Sequence, residues 1–276
     1  MNLETSKIGF IGAGNMANSL IRGLLARGAS PDSLMAADID SDKLAVLRSE
    51  CGIATVNSRD IATTADVVVL AVKPQVMKDA CRQLQPALQG RSCLVVSVAA
   101  GITCEHLQRW LGDGTALVRC MPNTPALVGQ GATALYANSR VDATQRTLAE
   151  NILSAVGLVT WLDNEEAMDA VTALSGSGPA YFFLLMEAMQ DAALDMGLDV
   201  ETARQLTCQT ARGAAELAAS STATTAELRR QVTSPGGTTE MALQQFEAGG
   251  LRKLVAKALL AAQQRSRELA KEFGSD

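Results

Sequence analysis

Two short stretches hold residues whose types and spacing could do chemistry. Near the start, "FIGAGNMANSL" sets Gly12, Gly14 and Ala17 in the spacing Gly-x-Gly-x-x-Ala, directly after an apolar run and before a helical pattern. Each small residue has its own use: Gly12 permits a tight turn, Gly14 lets backbone approach a pyrophosphate, and Ala17 allows close helix-to-strand packing. The free N–H groups and dipole of the following helix start favour an anion. Much later, "TSPGGTTEMAL" runs from Thr233 to Leu243. There Gly236 and Gly237 would expose their amides, Thr238 or Thr239 could cap a helix, and Glu240 adds an acid to its first turn. A substrate carboxylate would suit such a loop. "LSGSGPAYFF", Leu174 to Phe183, has the same character, with Pro179 suited to the first position of a helix. For both loops a plain helix–helix connection is the alternative.

Further segments fall where the C-terminal ends of parallel strands would line a dinucleotide crevice. Asp38 ends the second strand; it either binds the adenosine ribose, which favours NADH, or serves as a turn or cap residue beside Asp40 and Ser41. "AVKPQ" brings Ala71, Val72, Lys73 and Pro74 to the end of the fourth strand, and "SVAAGIT" brings Ala99, Ala100 and Gly101 to the end of the fifth. In "RCMPNTPALVGQG", Pro122 and Pro125 bracket Asn123 and Thr124, making a rigid wall. The single histidine, His106, reads as structural or solvated on a surface helix capped by Thr103. Glu165 and Glu166 open a helix, where acids are favoured whatever the chemistry.

The elements that must position these residues change character at Asp163. Before it, short β-rich runs alternate with helical patterns: Lys7–Ile11, Leu34–Ala37, Ile53–Val56, Val67–Val72, Leu94–Val98, Ala116–Cys120, Ala132–Tyr136 and Leu158–Leu162. Runs such as "DVVVLAV" are apolar throughout, as in parallel strands covered on both faces. After it, Glu165–Leu174, Pro179–Met196, Val200–Ala219, Thr225–Gln231, Thr239–Ala248 and Leu251–Phe273 carry helical periodicity. The expected fold is α/β: a Rossmann-type doubly wound domain over residues 1–163, then an all-helical substrate and dimerisation domain over 164–276. The helix beginning "PAYFFLLMEAM" is apolar around too much of its circumference for one thin layer, which suggests a homo-oligomer.

Composition narrows the classes. The 276 residues are 47% hydrophobic and 19% charged, with net charge -5, which excludes a large disordered chain and argues against nucleic acid as the partner. One histidine and six cysteines without Cys-x-x-Cys spacing argue against a metal site. The N-terminus lacks a secretory pattern and no apolar run would span a bilayer, so a reduced, cytoplasmic protein with structural thiols is expected.

Hydride transfer from a reduced nicotinamide asks the protein mainly to position an acceptor and stabilise its charge change. A carbonyl acceptor usually wants a Lys, His or Tyr acid, whereas a protonated imine needs only a hydroxyl near nitrogen and an anion site for an attached carboxylate. A loop rich in hydroxyls and amides supplies both.

The segments "FIGAGNMA", "AVKPQ", "VSVAAGIT", "RCMPNTPALV", "DAVTALSGSGPAYFF" and "VTSPGGTTEMAL", in that order over nearly the whole chain, resemble the pyrroline-5-carboxylate reductase family. The resemblance implies reduction of a cyclic imine to L-proline with NADP(H), alternatively NAD(H), and a homodimer assembling into a decamer. It implies cofactor contacts at Ile11, Gly12, Ala13, Gly14, Asn15, Met16, Asn57, Ala71, Val72, Lys73, Pro74, Ala99, Ala100 and Gly101. It implies substrate contacts at Ser234, Gly236, Gly237, Thr238 and Thr239, with Thr239 bonded to the ring nitrogen as the catalytic residue. Asn123 and Glu165 fall near that pocket. Asp38 stands where many relatives hold a small hydroxyl residue that tolerates a 2′-phosphate. Two other readings are a β-hydroxyacid dehydrogenase, for which the long helix lacks the lysine, and a non-catalytic dinucleotide sensor.

Overall fold

The computed structural model of the protein describes residues 6–274. These form two compact units, one taking the chain up to Ser177 and again from Ala261, the other Gly178–Leu260. The first unit alternates strands and helices as β1 (Ile8–Ile11), α1 (Asn15–Ala26), β2 (Leu34–Ala37), α2 (Ser41–Cys51), β3 (Ala54–Thr55), α3 (Ser58–Thr64), β4 (Val67–Leu70), α4 (Pro74–Leu88), β5 (Leu94–Ser97), α5 (Cys104–Leu111), β6 (Ala116–Met121), β7 (Gly131–Ala137), α6 (Ala143–Ser154), β8 (Gly157–Trp161) and α7 (Ala167–Val171). The second holds α8 (Gly178–Asp195), α9 (Val200–Ser220), α10 (Thr225–Gln231), α11 (Thr238–Ala248) and the start of α12 (Leu251–Gly274).

The strands form one sheet in the order β3-β2-β1-β4-β5-β6-β7-β8. The order reverses between β1 and β4, so the chain leaves these neighbours in opposite directions and opens a crevice at their C-terminal ends. Strands β1 to β6 are parallel, as their apolar runs require; β7 and β8 are not parallel to them, because β7 pairs antiparallel with β6. An all-parallel sheet was expected. The physical reason for the difference is the short link: residues 122–130, with a 3₁₀ turn at Thr124–Val128, are too few for a parallel crossover.

Alternation along the central strands divides the core into two layers. Phe10, Val67, Val69 and Val96 pack beneath α1 and α6, with Leu20, Leu24 and Ile152. Ile11, Val68, Leu70 and Val95 pack beneath α4 and α5, with Met77, Leu84 and Leu107. Each such side chain contributes about 1.5–3 kcal/mol by leaving water. Five of the six cysteines are buried. Burial raises the Cys81 and Cys104 thiols to about 12 and the Cys93 thiol to about 11, so they behave as inert apolar groups.

The expected open loop at Leu174–Gly178 is instead a π turn at Thr172–Gly176, closed by the Ser177 amide donating to the Thr172 carbonyl at 2.8 Å and followed directly by α8. The amides before Pro179 are therefore inside helical backbone and form no separate anion loop. The terminal methyl of Met121 packs against Gly176, where a Cβ would begin.

His106 is buried, not solvated. It closes a capping box: Thr103 Oγ1 accepts from the His106 amide at 3.2 Å, and His106 Nδ1 accepts from the Thr103 amide at 3.3 Å. Its ring stacks on Trp110. Burial, with Arg109 next in effect, lowers its pKa below the ordinary value. Because the folded state prefers the neutral ring, this stabilisation is complete above about pH 6.5 and is lost as the pH falls below it. The melting temperature should therefore drop from about pH 7.5 to about pH 5.5. A His106→Gln variant keeps an acceptor for the cap and should show a flatter profile; an unchanged slope would remove His106 as its source.

Candidate functional site

Helix α1 begins without a side-chain cap and with no acid in its first turn, and Gly14 occupies its N-cap. The first amides of such a helix have no intrahelical acceptor and point outward at the strand end. The two motif glycines differ in what demands them. Gly12 has φ +101°, and a Cβ there would lie 2.6 Å from the Ala71 carbonyl oxygen at the end of β4. Gly14 would place its Cβ with nothing within 4 Å, so no contact among the described residues requires glycine. The space above Gly14 is what a closely approaching pyrophosphate would fill. The Gly12 amide donates to the Ala37 carbonyl on one side at 2.8 Å, and on the other side the Ala71 amide donates to the Ile11 carbonyl at 2.8 Å.

Residues from five strand ends gather along this edge. Ile11 ends β1 and is buried; Ala13 is buried, and Asn15 and Met16 open α1. Asp38 follows β2, and both its oxygens are engaged: Oδ2 accepts from the Ala13 amide at 2.6 Å and Oδ1 from the Asp40 amide at 2.9 Å. Asp40, not Asp38, caps α2, so Asp38 ties the strand end to the glycine turn. Asn57 follows β3 and caps α3 by accepting from the Asp60 amide. Ala71 and Val72 follow β4; Lys73 is the N-cap of α4 and Pro74 its first residue. Ala99, Ala100 and Gly101 form the turn between β5 and α5.

At the end of β6 the structure gives Asn123 and Glu165 internal partners. Asn123 Oδ1 accepts from the Ala132 amide at 2.8 Å and its Nδ2 donates to the Ser175 carbonyl at 3.0 Å. Glu165 pairs with the buried Arg119 at 3.0 Å. In the sequence Arg119 only heads the segment "RCMPNTPALVGQG". Its signal was a lone cation inside the otherwise apolar strand "ALVRCM", a residue type rarely buried without a partner.

In the helical unit, residues 233–237 form a turn that opens α11. Here the expected donors change. The Gly236 amide donates to Glu240 Oε2 at 2.7 Å and the Gly237 amide to the Ser234 carbonyl at 3.0 Å. The glycine amides thus shape the loop instead of facing outward. Gly237 is the N-cap, no side chain caps the helix, and its first residues are the exposed Thr238 and Thr239 followed by Glu240. Their amides are the ones the helix leaves without intrahelical acceptors. No cluster of three or more metal-ligating side chains occurs among the described residues.

Comparison with known proteins places this geometry. Residues 165–269 match a family model described as pyrroline-5-carboxylate reductase dimerisation, and residues 7–101 one described as NADP oxidoreductase coenzyme F420-dependent. The chain is 55% identical to the pyrroline-5-carboxylate reductase of Pseudomonas aeruginosa, over 99% of this chain and 100% of that one. It is similar to the solved structure of a pyrroline-5-carboxylate reductase from Coxiella burnetii, with TM-score 0.93, 48% identity, and coverage of 96% and 99% of the two chains. It is also similar to the Plasmodium falciparum pyrroline carboxylate reductase with NADP bound, with TM-score 0.86, 29% identity, and coverage of 98% and 100%.

The contrast between the two glycines gives a paired prediction. Gly12→Ala should lose about 2 kcal/mol or more of unfolding free energy in urea, since both its φ and its neighbour oppose a side chain. Gly14→Ala should unfold within about 0.5 kcal/mol of the parent yet bind a dinucleotide at least about tenfold more weakly. Equal stability losses in the two variants would contradict this division.

Proposed function

The chain belongs to the pyrroline-5-carboxylate reductase family, and from that premise we propose that it reduces 1-pyrroline-5-carboxylate to L-proline. NADPH is the hydride donor, with NADH as an alternative. The bound dinucleotide supplies a hydride to the imine carbon, and the ring nitrogen carries the added proton in the product. Every other requirement falls on the chain's own groups. The observation that carries the reading is the presence, in one chain, of two uncapped helix starts: α1 behind a glycine turn, and α11 presenting two threonine hydroxyls.

The first start suits a pyrophosphate and the second a carboxylate. In this reading residues 1–163 bind the cofactor and 164–276 bind the substrate and dimerise; the dimerisation-family match beginning at residue 165 supports that division. Ile11 to Met16, Asn57, Ala71 to Pro74 and Ala99 to Gly101 form the cofactor site. Ser234, Gly236 and Gly237 shape the loop, while the amides of Thr238, Thr239 and Glu240 take the substrate carboxylate. The Thr239 hydroxyl bonds the ring nitrogen and favours the charge change there.

The helical unit also supports self-association. Phe182, Phe183 and Leu184 on α8 are each more than 60% exposed, so apolar side chains are presented around much of the helix's circumference, as on surfaces that partners cover. A homodimer follows from this reading, with a decamer as its higher assembly. We place the protein in the cytoplasm, a reading supported by six free cysteines and by the lack, among the described residues, of any helix long and apolar enough to cross a membrane.

The enzyme reading is tested by following oxidation of NADPH and NADH in the presence of the cyclic imine. Thr239→Ala should lower kcat by about a hundredfold while changing cofactor affinity less than about twofold. An unchanged kcat would remove Thr239 from the mechanism. Asp38→Ser should raise the ratio of kcat/KM for NADPH over NADH by about fivefold or more, by withdrawing a carboxylate from the ribose side. If that ratio stays fixed, Asp38 acts only through its bonds to Ala13 and Asp40.

A further inference from the structure

Arg119 is a charge in an unusual place. Its side chain is 4% exposed, and its partner Glu165 is 21% exposed. A buried guanidinium is tolerated only when its partner is held in place. Glu165 is held by a third group: the same oxygen, Oε1, accepts from Arg119 Nη1 at 3.0 Å and from the Cys104 amide at 2.8 Å. Cys104 is the first residue of α5, whose amide has no acceptor within its own helix. Glu165 therefore caps α5 from a distance of 61 residues, beside the local cap made by Thr103.

The turn before α5 is thereby fastened along its length. At its near end the Val98 amide donates to the Leu70 carbonyl at 3.2 Å. In its middle Gly101 adopts φ +75°, and a Cβ there would meet the Phe273 ring at 3.1 Å. At its far end stands the Glu165 carboxylate. The same strand braces the segment after Glu165 a second time, since Asn123 at the exit of β6 holds the Ser175 carbonyl.

This turn lies on one side of the crevice. With the pyrophosphate at α1 and the adenosine half toward β2 and Asp38, the nicotinamide half belongs on the opposite side, over the ends of β4 and β5. We propose that Arg119 and Glu165 are positioning residues for the nicotinamide: the ion pair fixes the Cys104 amide, which fixes the Ala99–Gly101 turn against which the ring lies. The pair acts through the turn and not on the imine. This inference rests on the proposed dinucleotide-dependent function.

The test uses the purified full-length chain and two readouts. One is the dissociation constant of NADPH, measured without substrate from the fluorescence of the reduced nicotinamide. The other is the KM of the cyclic imine. Glu165→Leu, which removes both hydrogen bonds, should weaken NADPH binding by about tenfold or more while the imine KM moves less than about twofold. Glu165→Gln keeps a carbonyl acceptor for the Cys104 amide and should weaken NADPH binding less, by about threefold. It also carries the test should the leucine variant fail to fold. Unchanged NADPH binding in either folded variant overturns the proposal. So does a raised imine KM with NADPH binding intact, which would put Glu165 against the substrate. A wild-type chain that binds NADPH but leaves the imine untouched would count against the proposed reaction, and the NADPH binding of the variants would still decide the role of the pair.

Discussion

A carbonyl oxygen at Ala71 lies 2.6 Å from where a side chain at residue 12 would begin, and much of the sheet unit depends on that approach. It lets the chain turn sharply off β1 while β4 lies alongside, with Gly12 bonded to β2 and Ala71 bonded to β1. Three strand ends are thereby locked at the place where the order of the sheet reverses. The crevice that follows is a consequence of backbone packing, so its lining can vary in side chain without losing its shape. Gly14, two residues on, answers to a different demand, because nothing among the described residues crowds it.

In the proposed function, backbone amides do more of the binding than charged side chains. Helix α1 opens with no side-chain cap and no acid in its first turn, and α11 opens with no side-chain cap. Both present amide donors that do not titrate and so work over a wide pH range. The titratable groups near the sheet edge have structural employment instead. Asp38 spans the Ala13 and Asp40 amides, His106 completes a cap, and Glu165 joins Arg119 to α5. Such a division suits hydride transfer, where the reactive electrons belong to the cofactor and the protein supplies orientation.

Much of the fold was legible because its determinants are local. The run "DVVVLAV" reads as a strand buried on both faces, and Val67–Leu70 is one; Thr225–Gln231 reads as a helix and is one. The direction of β7 was not legible, since strand orientation depends on how far a nine-residue link can reach, and periodicity contains no sign. The glycine turn at Gly12 could be read because its φ demand is a property of one residue. The partners of Asn123 and Glu165 could not, because Ser175 and Arg119 reach them through the folded arrangement. In "TSPGGTTEMAL" the sequence correctly suggests a helix start, yet it misattributes the outward amides: those of Gly236 and Gly237 turn inward, and the donors move to Thr238 and beyond.

In the proposed reaction a hydride passes from the dinucleotide to the carbon of a cyclic imine whose nitrogen is attended by a threonine hydroxyl. Its most direct test uses NADPH carrying deuterium at the transferable position of the nicotinamide C4, with 1-pyrroline-5-carboxylate as acceptor and the product identified by mass and NMR. The expected product is L-proline with one deuterium at carbon 5, formed in equal amount to the NADP⁺ released. Oxidation of NADPH without deuterium in proline, or no proline at all, would contradict it.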